Sequence, residues 1–158
     1  MKERLDYAAV APGVMKAMRG LQEYINTTNL EPLLLELVKV RASQINGCAY
    51  CVDMHTKDAR ALGETEQRLY ALSVWRETPF YTEHERAALE WTESLTLLSE
   101  THVPDEVYEA VREHFTEKEL ADLTLAVILI NGWNRFGVSF RDVPGTYEPK
   151  RKPAAASA

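Results

Sequence analysis

The sequence predicts an all-α domain built as antiparallel helical hairpins, and three observations predict it. Apolar residues recur at intervals of three and four along most of the chain, the period of amphipathic helices. Helix-start and helix-stop residues stand at the edges of those stretches. No convincing strand precedes the only two cysteines. The length of 158 residues suits one domain with a real core, and contents of 46% hydrophobic and 27% charged residues lie near the globular average. The expected domain spans residues 1–145, with a disordered tail at 146–158.

The elements follow in order. Residues 1–12 are too short to be a domain and read as an arm lying on the core or on a neighbour. From Gly13 to about Asn26, Val14, Met15, Met18, Leu21 and Ile25 mark one helical face. Asn29 is a candidate N-cap and Pro32 is tolerated in a first turn, so a helix runs from about Leu30 to Asn46. Gly47 stops it, because glycine takes the left-handed conformation without a Cβ penalty. A second helix then runs from Cys48 to Leu62, ending at Gly63, with Asp53, Lys57, Asp58 and Arg60 on an expected solvated side.

Thr65 opens a short helix through Leu69, Leu72 and Trp75, ended by the approach of Pro79. Trp75, Phe80 and Tyr81 pack the core, wall the thiol pocket or fill a subunit interface. Thr82 with Glu85 forms a capping box for a helix reaching about Ser99, with Ala87, Leu89, Leu95 and Leu98 buried and His84 exposed. Pro104-Asp105 restarts a helix to Phe115, and Thr116 with Glu119 is a second capping box. The last helix, from Glu117 to about Phe140, is so apolar around Leu123–Ile130 that it reads as a central core helix or one covered by another subunit. Asn131, Asn134 and Arg135 interrupt it, and the expected role for them is structural hydrogen bonding.

The chemistry concentrates in one stretch. Cys48, Cys51 and His55 are spaced three and four apart, so at a helix start they share one face. Unpaired N–H groups and the positive dipole end of a helix N-terminus favour a thiolate over a thiol, and such surroundings bring a cysteine from about 8.5 to near 7 or below. His55 exchanges protons near neutral pH. Glu36, twelve residues before Cys48, reaches the group only if the two helices fold into a hairpin across Gly47; read alone, it could equally be the solvent side of its helix.

A glutamate, twelve residues to a cysteine, then C-x-x-C-x-x-x-H resembles the AhpD-like alkylhydroperoxidases, the cysteine-bearing branch of the carboxymuconolactone decarboxylase superfamily. The resemblance implies an oligomeric helical protein, trimer or hexamer, that acts without metal or flavin cofactor as a peroxidase reducing peroxides or other small oxidants, or as a disulfide reductase. It further implies that Cys51 becomes the sulfenic acid, that Cys48 resolves it to a disulfide, and that Glu36 and His55 relay protons. An external dithiol would reduce that disulfide. The best-studied members carry a second histidine directly before the second cysteine, where this chain has Tyr50. The superfamily also contains lactone- and decarboxylation-type enzymes, which do not use a cysteine pair.

Other readings of the same residues stand beside it. C-x-x-C with a following histidine supplies three of the four ligands of tetrahedral zinc, although His84, His102 and His114 have no matching spacing. The cysteines could also be buried hydrophobes or a structural disulfide. A net charge of −6 and a pI near 5.3 argue against nucleic-acid binding through a broad basic surface. No apolar run approaches the ~20 residues of a membrane span, and the N-terminus lacks a signal-peptide layout. The expected location is therefore cytoplasmic, where a vicinal thiol pair is more often catalytic than structural.

Overall fold

The computed structural model describes residues 2–149, so the expected tail falls from residue 150 onward outside the described residues. Among those residues every regular element is a helix: α1 (Tyr7–Val10), α2 (Pro12–Ile25), α3 (Pro32–Asn46), α4 (Ala49–Ala61), α5 (Glu66–Ala71) running into a 3₁₀ turn at Leu72–Glu77, α6 (Glu83–Thr96), α7 (Leu98–Thr101), α8 (Asp105–Arg112) and α9 (Glu117–Phe140). None is long and apolar enough to cross a membrane.

Helix α3 is the centre, packed against α4, α6 and α9. Its Leu34, Leu35 and Val38 join one core cluster with Leu123, Val127 and other residues of α9. Leu37 and Val40 enter a second with Leu72, Trp75, Tyr81 and Leu89. A helix packed on both sides needs apolar residues all round, which is why α3 reads as a nearly unbroken hydrophobic run. Trp75 and Tyr81 therefore belong to the core. Helix α9 lies along α3 but leaves Ile128 and Val138 exposed.

Local chemistry explains most boundaries. Both capping boxes form, at Thr82–Glu85 and Thr116–Glu119. Pro32 occupies the first turn of α3, although Glu31 rather than Asn29 precedes it as N-cap, without a side-chain bond. Gly47 takes φ +65° and ends α3, its N–H bonding the carbonyls of Ser43 and Gln44.

Three expectations are corrected. The helix expected to reach Ser99 breaks at Leu97 (φ −97°, ψ 35°), which turns Leu98 outward at 52% exposure; α7 follows as a separate turn. His84 is half-buried, its ring stacked on Phe115 at 4.2 Å. Asp53, Lys57 and Asp58 are not simply solvated. The chain after α9 returns over α4, where Gly145 N–H donates to Asp53 (3.0 Å), Lys57 to the Tyr147 carbonyl (3.0 Å), and the Tyr147 hydroxyl to Asp58 (2.7 Å).

The asparagines of α9 build the expected polar tie. Asn46 donates to the side-chain oxygens of Asn131 (3.0 Å) and Asn134 (2.9 Å), and Asn134 donates to Ser43 Oγ (2.9 Å). Buried amides with partners lock the C-terminal end of α3 to α9. The same Ser43 accepts the Cys48 N–H on its carbonyl at 3.0 Å, so the junction adjoins the first cysteine.

Candidate active site

The turn at Gly47 aims α4 back along α3. Cys48 is the N-cap of α4, its sulfur accepting from the Cys51 N–H at 3.3 Å. Cys51 lies in the first turn and His55 one turn further, all three buried. The two sulfurs are joined in a disulfide.

The hairpin brings Glu36 to the same place. Its side chain points between the two helices, the residue being 7% exposed, which settles the open question of its environment in favour of burial. Glu36 Oε2 is 2.8 Å from His55 Nδ1 and Oε1 is 2.7 Å from Lys39 Nζ. Burial pushes this carboxyl up, but the His55 hydrogen bond and the Lys39 ammonium outweigh it and hold it below the usual range. With Nδ1 held by a carboxylate, the other ring nitrogen of His55 is the one left for proton exchange.

A cavity of about 270 Å³ opens beside this group, bounded by α2, α4 and α9. Cys51 and His55 line it and Cys48 does not. Most of the remaining wall is apolar: Met15, Ile25, Met54, Leu129, Ile130 and Trp133.

Two wall residues, Tyr7 and Asp142, lie 135 residues apart in the chain, and no local pattern marks them. Tyr7 donates to Asp142 Oδ2 at 3.0 Å; burial and that carboxylate push its hydroxyl far up, so it stays protonated. The arm carrying Tyr7 is held by Arg4, whose N–H and guanidinium bond the carbonyls of Phe140 (2.8 Å) and Ser139 (3.0 Å). Arg141 in the left-handed region (φ 62°) turns the chain so that Asp142 faces inward. Tyr50, where better-studied proteins have histidine, also lines the cavity, and burial and Asp142 push its hydroxyl up too.

Glycine at 137 lets the cysteine pair sit against α9. A Cβ there would stand 3.0 Å from Cys48 Sγ, 3.7 Å from Cys51 Sγ and 3.6 Å from Asp142 Oδ2. Glycine inside an apolar helix, here at 132 and 137, was the available sequence signal for that close approach. For Tyr7, Asp142 and the cavity-lining face of α2 there was none, since only the fold makes them neighbours.

Among the described residues, the one group of three side chains able to converge on a metal is Glu36, His55 and Asp58. It does not include the cysteines. Tyr147 already donates to Asp58, and Glu36 already bonds His55 and Lys39.

A helical hairpin that sets a C-x-x-C pair and a glutamate–histidine pair against an apolar cavity defines an AhpD-like domain. The chain belongs to the carboxymuconolactone decarboxylase family, whose profile matches residues 12–94. The uncharacterized protein YdfG of Bacillus subtilis is 47% identical over 139 residues, 88% of this chain and 95% of that one. A crystal structure from Agrobacterium tumefaciens, of a protein of unknown function provisionally called the antioxidant defence protein AhpD, superposes with a TM-score of 0.89 at 44% identity, covering 92% of this chain and all of the other. An uncharacterized peroxidase-related protein from Ralstonia eutropha, described as an AhpD core, shares the fold with a TM-score of 0.77 at 22% identity, covering 88% of this chain and 74% of its own.

Proposed function

We propose that the protein is a thiol-dependent peroxidase that cycles Cys48 and Cys51 between dithiol and disulfide, with Glu36 and His55 moving protons. The observation that carries this reading is the 2.8 Å contact of Glu36 with His55, one turn beyond the cysteine that faces the cavity. The antioxidant name of the Agrobacterium protein points the same way. Neither a metal nor an organic cofactor is required by the cycle.

Cys51 is the attacking sulfur in this reading, because it reaches the cavity and Cys48 sits behind it. His55, held by Glu36, takes the Cys51 proton by way of Cys48. The Cys51 thiolate attacks one peroxide oxygen, so an S–O bond forms and the O–O bond breaks. Cys48 gives its proton to the departing alkoxide. The Cys48 sulfur then attacks Cys51, the S–S bond forms, the S–O bond breaks, and the leaving hydroxide takes the proton held on His55. The sum is one hydroperoxide and one dithiol converted to an alcohol, water and a disulfide. An external dithiol, by thiol–disulfide exchange, restores the starting state.

The test is intact-mass analysis of the reduced protein after one equivalent of cumene hydroperoxide. Loss of two hydrogens within seconds, located to Cys48 and Cys51 by peptide mapping, is the expected result. Thiols that ignore the peroxide would sink the proposal.

We also propose a cytoplasmic homo-oligomer, trimer or hexamer. Apolar side chains left open on α2 and α9, among them Val14, Leu21, Ile128 and Val138, are the faces that assembly would cover. A monomer mass in light scattering at all working concentrations would refute the assembly.

A further inference from the structure

The cavity beside Cys51 carries reactive and charged side chains in a lining that is otherwise mostly hydrocarbon. Its walls are mainly the apolar side chains of α2, α4 and α9, which offer an alkyl chain a surface on which to bury hydrocarbon. A cavity volume of about 270 Å³ accommodates a chain of medium length rather than a single small oxidant.

The charges on the wall are arranged asymmetrically. Lys39 is already engaged by Glu36. Arg19 of α2 is exposed at the cavity wall, and among the described residues no carboxylate lies within ion-pair distance of it. Asp142, by contrast, stands beside the cysteines: its carboxylate and both sulfurs fall within 4 Å of one point above Gly137. An anionic group is therefore repelled beside the sulfurs and attracted at Arg19, against the general field of a chain with net charge −6.

We propose that the cavity selects amphipathic monoanions, and that the oxidant is a medium-chain hydroperoxide bearing a carboxylate, its carboxylate on the Arg19 guanidinium and its hydroperoxide at Cys51. This deepens the thiol-peroxidase reading and rests on it. The bonds made and broken are those above, and the alcohol released is a hydroxy acid. A guanidinium suits a carboxylate because its planar fork can donate two parallel hydrogen bonds.

Two measurements separate this proposal from the peroxidase reading. In the first, redox-inert nonanoate and neutral nonanol are titrated into the disulfide form of the full chain, followed by tryptophan fluorescence, since Trp133 lines the cavity. Nonanoate is expected to bind about tenfold tighter than nonanol. Arg19→Gln should abolish that preference and Arg19→Lys should retain most of it. In the second, KM for a carboxylate-bearing nonanoic acid hydroperoxide is divided by KM for neutral cumene hydroperoxide, and this ratio should rise about tenfold in Arg19→Gln, through KM rather than kcat. Equal binding of the two probes, or a preference that survives Arg19→Gln, overturns the anion site. Arg19-dependent nonanoate binding with no turnover of either hydroperoxide keeps the site and overturns the peroxidase reading on which the oxidant assignment rests.

Discussion

Replacing Cys51 with serine is expected to abolish peroxide turnover, whereas replacing Cys48 with serine should leave a single reaction that stops at the Cys51 sulfenic acid. The difference follows from placement. Cys51 faces the cavity and Cys48 is the buried N-cap behind it, so an oxidant entering the cavity meets Cys51 first. A hydroxyl is a far weaker nucleophile than a thiolate at neutral pH, so Cys51→Ser removes the first bond-forming step and should reduce turnover to background. Cys48→Ser keeps the attacking sulfur but removes the thiol that relays the Cys51 proton and protonates the alkoxide, so the first step should run more slowly, and it removes the sulfur that expels water. Sulfenic acid should then accumulate and be trapped by dimedone at Cys51, one label per chain. Labelling at Cys48 in the Cys51→Ser protein, or peroxidase rates near wild type in it, would reverse the assignment of the two sulfurs. Both substitutions change one atom in a packed site, so a melting temperature within a few degrees of wild type is expected, and the loss belongs to chemistry.

The pairing of these residues was legible because it is local. Gly47 announces the break, C-x-x-C-x-x-x-H fixes the face of α4, and a hairpin across one glycine can bring only a few positions of α3 near that face. The two capping boxes were equally readable, since each is closed within four residues. What was hidden depends on long-range packing. Tyr7 and Asp142 are 135 residues apart and meet only because the N-terminal arm is tied to the end of α9. The break at Leu97 has no glycine or proline to mark it. Helix α3, whose apolar residues occupy every face, gave no amphipathic stripe from which to choose the buried side of Glu36. Burial of that carboxylate became plain only with His55 and Lys39 against it, and it links the fold to the chemistry most closely.

Exchanging Glu36 for glutamine is the substitution expected to change both stability and rate. The carboxylate bonds His55 at 2.8 Å and Lys39 at 2.7 Å in a buried site, and hydrogen bonds to a charged group contribute about 1.5–3 kcal/mol each to stability. The amide retains part of both contacts, so a net loss of about 2 kcal/mol is expected, or roughly 4–8 °C in Tm at this chain length. The carboxyl is held below its ordinary range in the folded protein. Its contribution is therefore fully present above the unfolded value near 4.5 and is lost as pH falls through the lower folded value. The stability gap between wild type and Glu36→Gln should accordingly be constant from neutral pH down to about 4.5 and shrink below it. Activity should respond separately. Without the carboxylate, His55 loses the partner that orients its ring, and general acid–base assistance of this kind is worth ~10²–10⁴-fold. A fall in kcat/KM of about 100-fold, measured where the variant is still fully folded, is the expected outcome. A Tm loss with an unchanged rate would make Glu36 a structural residue and leave His55 to work alone.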